Sequence, residues 1–297
     1  MSALSTVDGT ATAGGATGFS PTRTFTFWTE FRRQATRKRT QLALGFMVLL
    51  PLIILAAFQL DTGNDNGGGR RRGEFSTFVD LATSGGLNFA MFTLFVSAGF
   101  LLVVVVALFC GDTVASEASW GSLRYLLAVP IPRGRLLGVK LAVSLAYCAL
   151  AMLVLVGTAL AAGTARYGWH PLRSTIAADI PEGPALARLL GIMGYLAVSL
   201  LVVAGLAFLL SVLTDAPLGA VGGAVLLNIL SSILDQITAL GSIRSFLPTH
   251  YAQAWLGLLS TPLQTNDIVR GCIAAVAYAV VFFGLAWWRF QRKDIVS

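Results

Sequence analysis

Residues 37–60 read RKRTQLALGFMVLLPLIILAAFQL: three bases, then an apolar run with no charge before Asp61. A helix rises about 1.5 Å per residue, so roughly 20 apolar residues cross a hydrocarbon core of about 30 Å. The run 41–60 has that length, and it lacks the polar residue every third or fourth position that a helix on a soluble core would show. The stretch therefore predicts a membrane span entered from a basic flank. Five more runs of the same kind follow at about 87–110, 140–162, 185–212, 217–235 and 270–288. The expected fold class is an all-α polytopic membrane protein with six transmembrane helices. Pro51 predicts a kink in the first span, which neighbouring helices tolerate in a bilayer. Only Leu213, Thr214, Asp215 and Ala216 separate spans four and five before Pro217, so these two must form a tight hairpin.

Composition points the same way. Of 297 residues, 56% are hydrophobic and 12% charged, with a mean hydropathy of +0.75. Soluble domains carry about twice that share of charge. The formal net charge of +7 would suit nucleic acid on a soluble surface, but these bases lie between apolar runs, where topology explains them. Cys110, Cys148 and Cys272 sit in or beside apolar runs without metal or disulfide spacing and read as small buried hydrophobes. GxxxxGK[ST] and HExxH are absent, the span centres hold no ionisable group, and both histidines, His170 and His250, fall in loops. No catalytic residue, metal or cofactor is expected in the chain, so any transport would draw its energy from another chain.

The first 20 residues are mostly Gly, Ala, Ser and Thr and are expected to be a disordered tail. From 21 to 40, Phe25, Phe27, Trp28 and Phe31 interleave with Glu30, Arg32, Arg33, Arg37, Lys38 and Arg39, the pattern of an interfacial elbow helix. The six-span domain occupies 41–297. Bases concentrate before span one, between spans two and three and after span six, which places both termini inside; Arg70, Arg71 and Arg72 are the exception. The segment 236–266 is apolar but broken by Gly241, Pro248, Gly257 and Pro262. It reads as one or two short helices re-entering the outer leaflet, with Tyr251 and Trp255 at the interface.

Between spans two and three, Thr113, Glu117, Gly121 and Arg124 form one stripe of a helix expected over about 113–128, flanked by Trp120, Leu123 and Leu127. A thin polar stripe between apolar flanks should dock on lipid headgroups, on its own bundle or on another protein. Pro130 and Pro132 end it, and Arg133, Arg135 and Lys140 are expected at headgroup level. In span five Asn228, Ser231, Ser232 and Asp235 share a face; in span two Asn88, Phe92, Phe95 and Gly99 do. Both faces fit a translocation pathway or plain interhelical packing. Gly219 and Gly223 form a GxxxG expected to make a close helix contact.

The loop resembles that of the membrane permeases of type-2 ATP-binding-cassette (ABC) exporters: an acid, Gly-[Thr/Ser]-Leu, Leu-Leu, Pro, then Arg ahead of a Lys. Glu117, Gly121, Ser122, Leu123, Leu126, Leu127, Pro130, Arg133 and Lys140 match that order, and residues 287–295, WWRFQRKDI, look like the usual end of such permeases. The resemblance implies a half-transporter that pairs with a second permease copy and with separate ABC ATPase subunits, on which ATP and Mg would be held. It implies that 113–128 is a coupling helix, with Glu117, Trp120, Gly121, Leu123 and Arg124 as ATPase contacts, and that spans two and five line the route of a hydrophobic or amphipathic substrate. A bacterial cell-membrane location follows from the same likeness and from an Ala-, Gly- and Arg-rich composition. The alternative is a non-transporting membrane scaffold or sensor that docks a cytoplasmic partner.

Overall fold

The computed structural model describes residues 26–61, 75–119, 132–173, 179–260 and 262–292. They form α1 (Phe27–Ala35), α2 (Lys38–Asp61), α3 (Phe75–Ala82), α4 (Gly86–Ala98), α5 (Leu101–Ser119), α6 (Arg133–Tyr167), α7 (Glu182–Ser199), α8 (Leu201–Leu213), α9 (Pro217–Gln236) and α10 (Asn266–Arg292). Two 3₁₀ stretches, Thr238–Phe246 and Ala254–Leu258, lie between α9 and α10. Among the described residues there is no strand, only an isolated antiparallel bridge between Leu172 and Ile180. Among the described residues, six helical segments are long and apolar enough to cross a membrane: α2, α5, α6, α7 with α8, α9 and α10.

α5 is the axis of the bundle. Its apolar window is 78% buried, against 17% for α9 and for α10, because α6, α8 and α9 pack around it. The small residue Gly111 lets α9 approach: a Cβ there would lie 3.2 Å from the amide nitrogen of Val221. Gly219 and Gly223 of the GxxxG meet only Ala216 and Leu210, so the close α5–α9 approach is made at Gly111. The α8–α9 hairpin is as tight as its sequence requires, with Pro217 opening α9 and the Ala216 amide donating to Thr214 Oγ1 at 3.1 Å. α2 runs through Pro51, whose missing N–H frees the Met47 carbonyl; Thr158 Oγ1 of α6 approaches that oxygen at 3.5 Å.

Three boundaries differ from expectation. The second span is not one helix over 87–110: it breaks after Ala98, at Gly99, and resumes at Leu101. It then continues without interruption to Ser119, so residues 113–119 belong to the spanning helix rather than to a separate loop helix; 120–128 lie outside the described residues. No proline interrupts α5, and Ser211 Oγ of α8 accepts hydrogen bonds from Val114 and Ala115 at 3.0 and 2.9 Å. The third span starts at Arg133, not near 140, because Lys140 finds partners inside the protein. Span four, close to its expected limits, carries a single break at Leu200 (φ −69°, ψ −10°).

Candidate functional site

Two regions of the bundle collect polar groups, one at each end of α5. The first lies where α1, α5 and α6 meet. α1 begins at Thr26, whose hydroxyl caps the Thr29 amide at 3.4 Å. Its Phe31 ring stacks on Tyr147 of α6 at 4.6 Å, and the Tyr147 hydroxyl donates to the Phe31 carbonyl at 2.8 Å. That docking brings Glu30 and Arg33 against Glu117 and Lys140. Lys140 Nζ lies 2.6 Å from Glu117 Oε1 and 3.3 Å from Glu30 Oε1. Arg33 pairs with Glu117 and, at 2.9 Å, with Glu30. Arg37 reaches Glu117 and Asp112 at 3.7 Å each, and Arg39 pairs with Asp112. Below the cluster, Thr113 and Ser144 share a 2.6 Å hydrogen bond.

Burial separates the strong members from the weak. Lys140 is 2% exposed, Glu117 3% and Glu30 4%, so their charges depend on one another for lost hydration. Arg39, 52% exposed at its side chain, adds at most about 1 kcal/mol to its pair. Burial pushes the Glu30 carboxyl up, but Lys140 and Arg33 outweigh it and hold the group below its ordinary range. A depressed carboxyl stabilises the fold above its unfolded value, and that gain disappears as pH falls through the lowered folded value. The melting-temperature difference between wild type and Glu30→Gln should therefore be constant above the ordinary glutamate value of 4.5 and collapse below it. A difference unchanged at lower pH would remove Glu30 from the cluster's energetics.

Thr113 and Glu117 thus dock on the protein's own bundle. Glu117 is turned inward, and Lys140 sits inside the cluster rather than at headgroup level. Trp120, Gly121, Leu123 and Arg124 lie outside the described residues. Sequence reading did not assign Glu30, Asp112 and Lys140 to one cluster; its one pointer was the alternative that Glu117 pairs with the elbow, and Arg33 and Arg37 do meet Glu117 here.

The second region is a cavity of about 320 Å³ bounded by α4, α5, α7, α8, α9 and the segment 248–255. Both helix breaks open onto it, through Ala98 and Gly99 on one wall and Ser199 and Leu200 on another. Of the two polar faces read from spans two and five, Phe95, Gly99, Asn228 and Ser232 line it. Asn88, Phe92, Ser231 and Asp235 do not. Asn88 is clamped to the backbone of Arg173 by two bonds, 2.8 and 3.1 Å; Phe92 packs on Phe58 at 5.4 Å. Ser231 bonds Thr249 at 2.8 Å, and Asp235 Oδ1 lies 2.6 Å from His250 Nδ1. These bonds, with Tyr195 bonded to Tyr251 and Tyr278 to Phe246, hold the 3₁₀ segment over the cavity. Ser199, Thr249 and Gln253 also line it and carried no sequence signal, being single polar residues without a periodic face. A smaller cavity of about 140 Å³ between α5, α6 and α7–α8 has a wholly apolar lining.

Among the described residues no group of His, Cys, Asp or Glu side chains is placed to hold a metal. A family model described as protein of unknown function (DUF2705) matches residues 48–296. No curated protein matches the chain.

Proposed function

We propose that this chain, which belongs to the DUF2705 family, is the membrane-spanning permease subunit of an ATP-driven ABC exporter, with its ATPase on separate subunits and both termini in the cytoplasm. The observation that carries the reading is the buried charge cluster of Glu30, Glu117 and Lys140. It ties α1 and α6 to α5 just before the segment 120–131. Separating the three helices there would leave buried charges unpaired, which is costly. α5 then extends from Glu117 to Val103 at the cavity, roughly 21 Å along a single helix. A push on the segment 120–131 would reach the cavity along α5, which is what alternating exposure driven from outside the chain requires. A second permease copy and the bilayer complete the assembly.

Because Glu117 serves the cluster, the ATPase contact falls to Trp120, Gly121, Leu123 and Arg124. The expected result of a mild-detergent pull-down from native membranes is an ATPase subunit, identified by mass spectrometry. Its recovery should drop at least tenfold in a Leu123→Asp, Arg124→Glu variant whose melting temperature is unchanged. Recovery of no ATPase with the intact chain would overturn the reading and leave the scaffold function.

A further inference from the structure

We propose that the cavity between the two helix breaks binds an uncharged amphiphile, with a hydrogen-bonding end and an apolar body; that this ligand is the cargo rests on the permease reading, its binding does not. The volume of about 320 Å³ is at the lower end for small-molecule pockets and excludes a peptide or a large polar headgroup. Its lining sets the chemistry. Phe95 and Trp255 meet edge to face at 5.9 Å, one 46% exposed on the bundle surface and the other 4%, so an apolar body passes from outer surface to interior along aromatic faces.

No charged side chain lines the cavity. An ionic headgroup would have to give up its hydration with nothing to replace it. Asp235, on the same helix as Asn228 and Ser232, is already engaged by His250. Hydrogen-bonding capacity, by contrast, is plentiful. Among the described residues the side-chain amides of Asn228 and Gln253 have no protein partner, and each offers two donors and an acceptor. Ser232 Oγ donates to the Asn228 carbonyl at 3.0 Å and keeps its lone pairs. Ser199, at the break in span four, adds a hydroxyl to the lining. Neutral donors and acceptors at one end and aromatic rings at the other match an alcohol, amide or ester head on a lipid-soluble body.

The test uses the full chain in lipid nanodiscs and three photoreactive diazirine probes with one alkyl chain and different heads: monoglycerol, quaternary ammonium and sulfate. The monoglycerol probe should label peptides containing Phe95 and Trp255 at least fivefold more than either charged probe. Asn228→Leu with Gln253→Leu should reduce that labelling at least fivefold, and Asn228→Gln should retain most of it. Equal labelling by all three heads, labelling confined to the outer faces of α2, α9 and α10, or a double variant labelled like wild type would each overturn the proposal. No ATPase is needed for the readout. Specific labelling without a co-purified ATPase would keep the site and remove the permease reading; an ATPase without specific labelling would do the reverse.

Discussion

Lys140→Met should cost about 3 kcal/mol of stability, the lower end of what removing one partner of a buried ion pair costs. The lysine is the one base in the cluster as deeply buried as the carboxylates, at 2%, and its loss leaves Glu30 and Glu117 to the more exposed Arg33 and, for Glu117, Arg37 at 3.7 Å. Arg33 is 41% exposed at its side chain, so water screens it and it compensates the pair only in part. The free thiols of Cys110, Cys148 and Cys272, in or beside the bundle interior, permit a thiol-reactive dye to follow thermal unfolding in detergent, and the midpoint should fall by several degrees. Adding Glu117→Gln to Lys140→Met should restore part of the loss, since it removes one of two buried carboxylates that face each other without the lysine while keeping shape. A single variant that melts like wild type, or a double variant less stable than the single, would show that the cluster is not held by charge. The α1 segment should also become more sensitive to trypsin at Arg32, Arg33 and Arg37, because Glu30 would no longer anchor it to α6.

The number of spans was legible because each needs only a local count of apolar residues, and all but the second and third keep close to their expected bounds; the second runs over 101–119 and the third begins at Arg133. Lys140 was misplaced for a physical reason. A base at the start of an apolar run snorkels to the headgroups by default, and it stays inside only when carboxylates distant in the chain, at Glu30 and Glu117, turn toward it. Asn88 and Asn228 illustrate the same limit. Both sit on polar faces of apolar helices, yet Asn88 spends its amide on the Arg173 backbone while Asn228 keeps its own for the cavity. Helical spacing identifies a face but not what lies across from it. The break at Gly99 had a glycine to mark it. The break at Leu200 had neither glycine nor proline, and its 3₁₀-like ψ is visible only in three dimensions.

Gly86→Ala should destabilise the protein by about 3 kcal/mol, the upper part of the usual range for overpacking. α4 and α6 approach closely here: a Cβ on Gly86 would lie 2.5 Å from Thr164 Cγ2, 2.7 Å from the Thr164 nitrogen and 2.9 Å from its Cα. Two of these are backbone atoms, which no rotamer change can move. From the other side, a Cβ on Gly163 would lie 3.1 Å from the Gly86 Cα, and the Gly86 amide donates to the Gly168 carbonyl at 2.9 Å. Small residues let membrane helices touch backbone to backbone, where dispersion substitutes for the hydrophobic drive that lipid does not supply. Gly194→Ala is the matched control. It lies in α7 with open space around it, and alanine there should be neutral or favourable, because glycine is the poorer helix former by about 1 kcal/mol. The two substitutions add the same methyl group, so their difference isolates the close approach from helix propensity, and equal melting temperatures would refute it. The same shift of α4 would carry Phe95 away from Trp255. Labelling by the monoglycerol probe should therefore fall in Gly86→Ala, although no lining residue has changed, and stay at the wild-type level in Gly194→Ala.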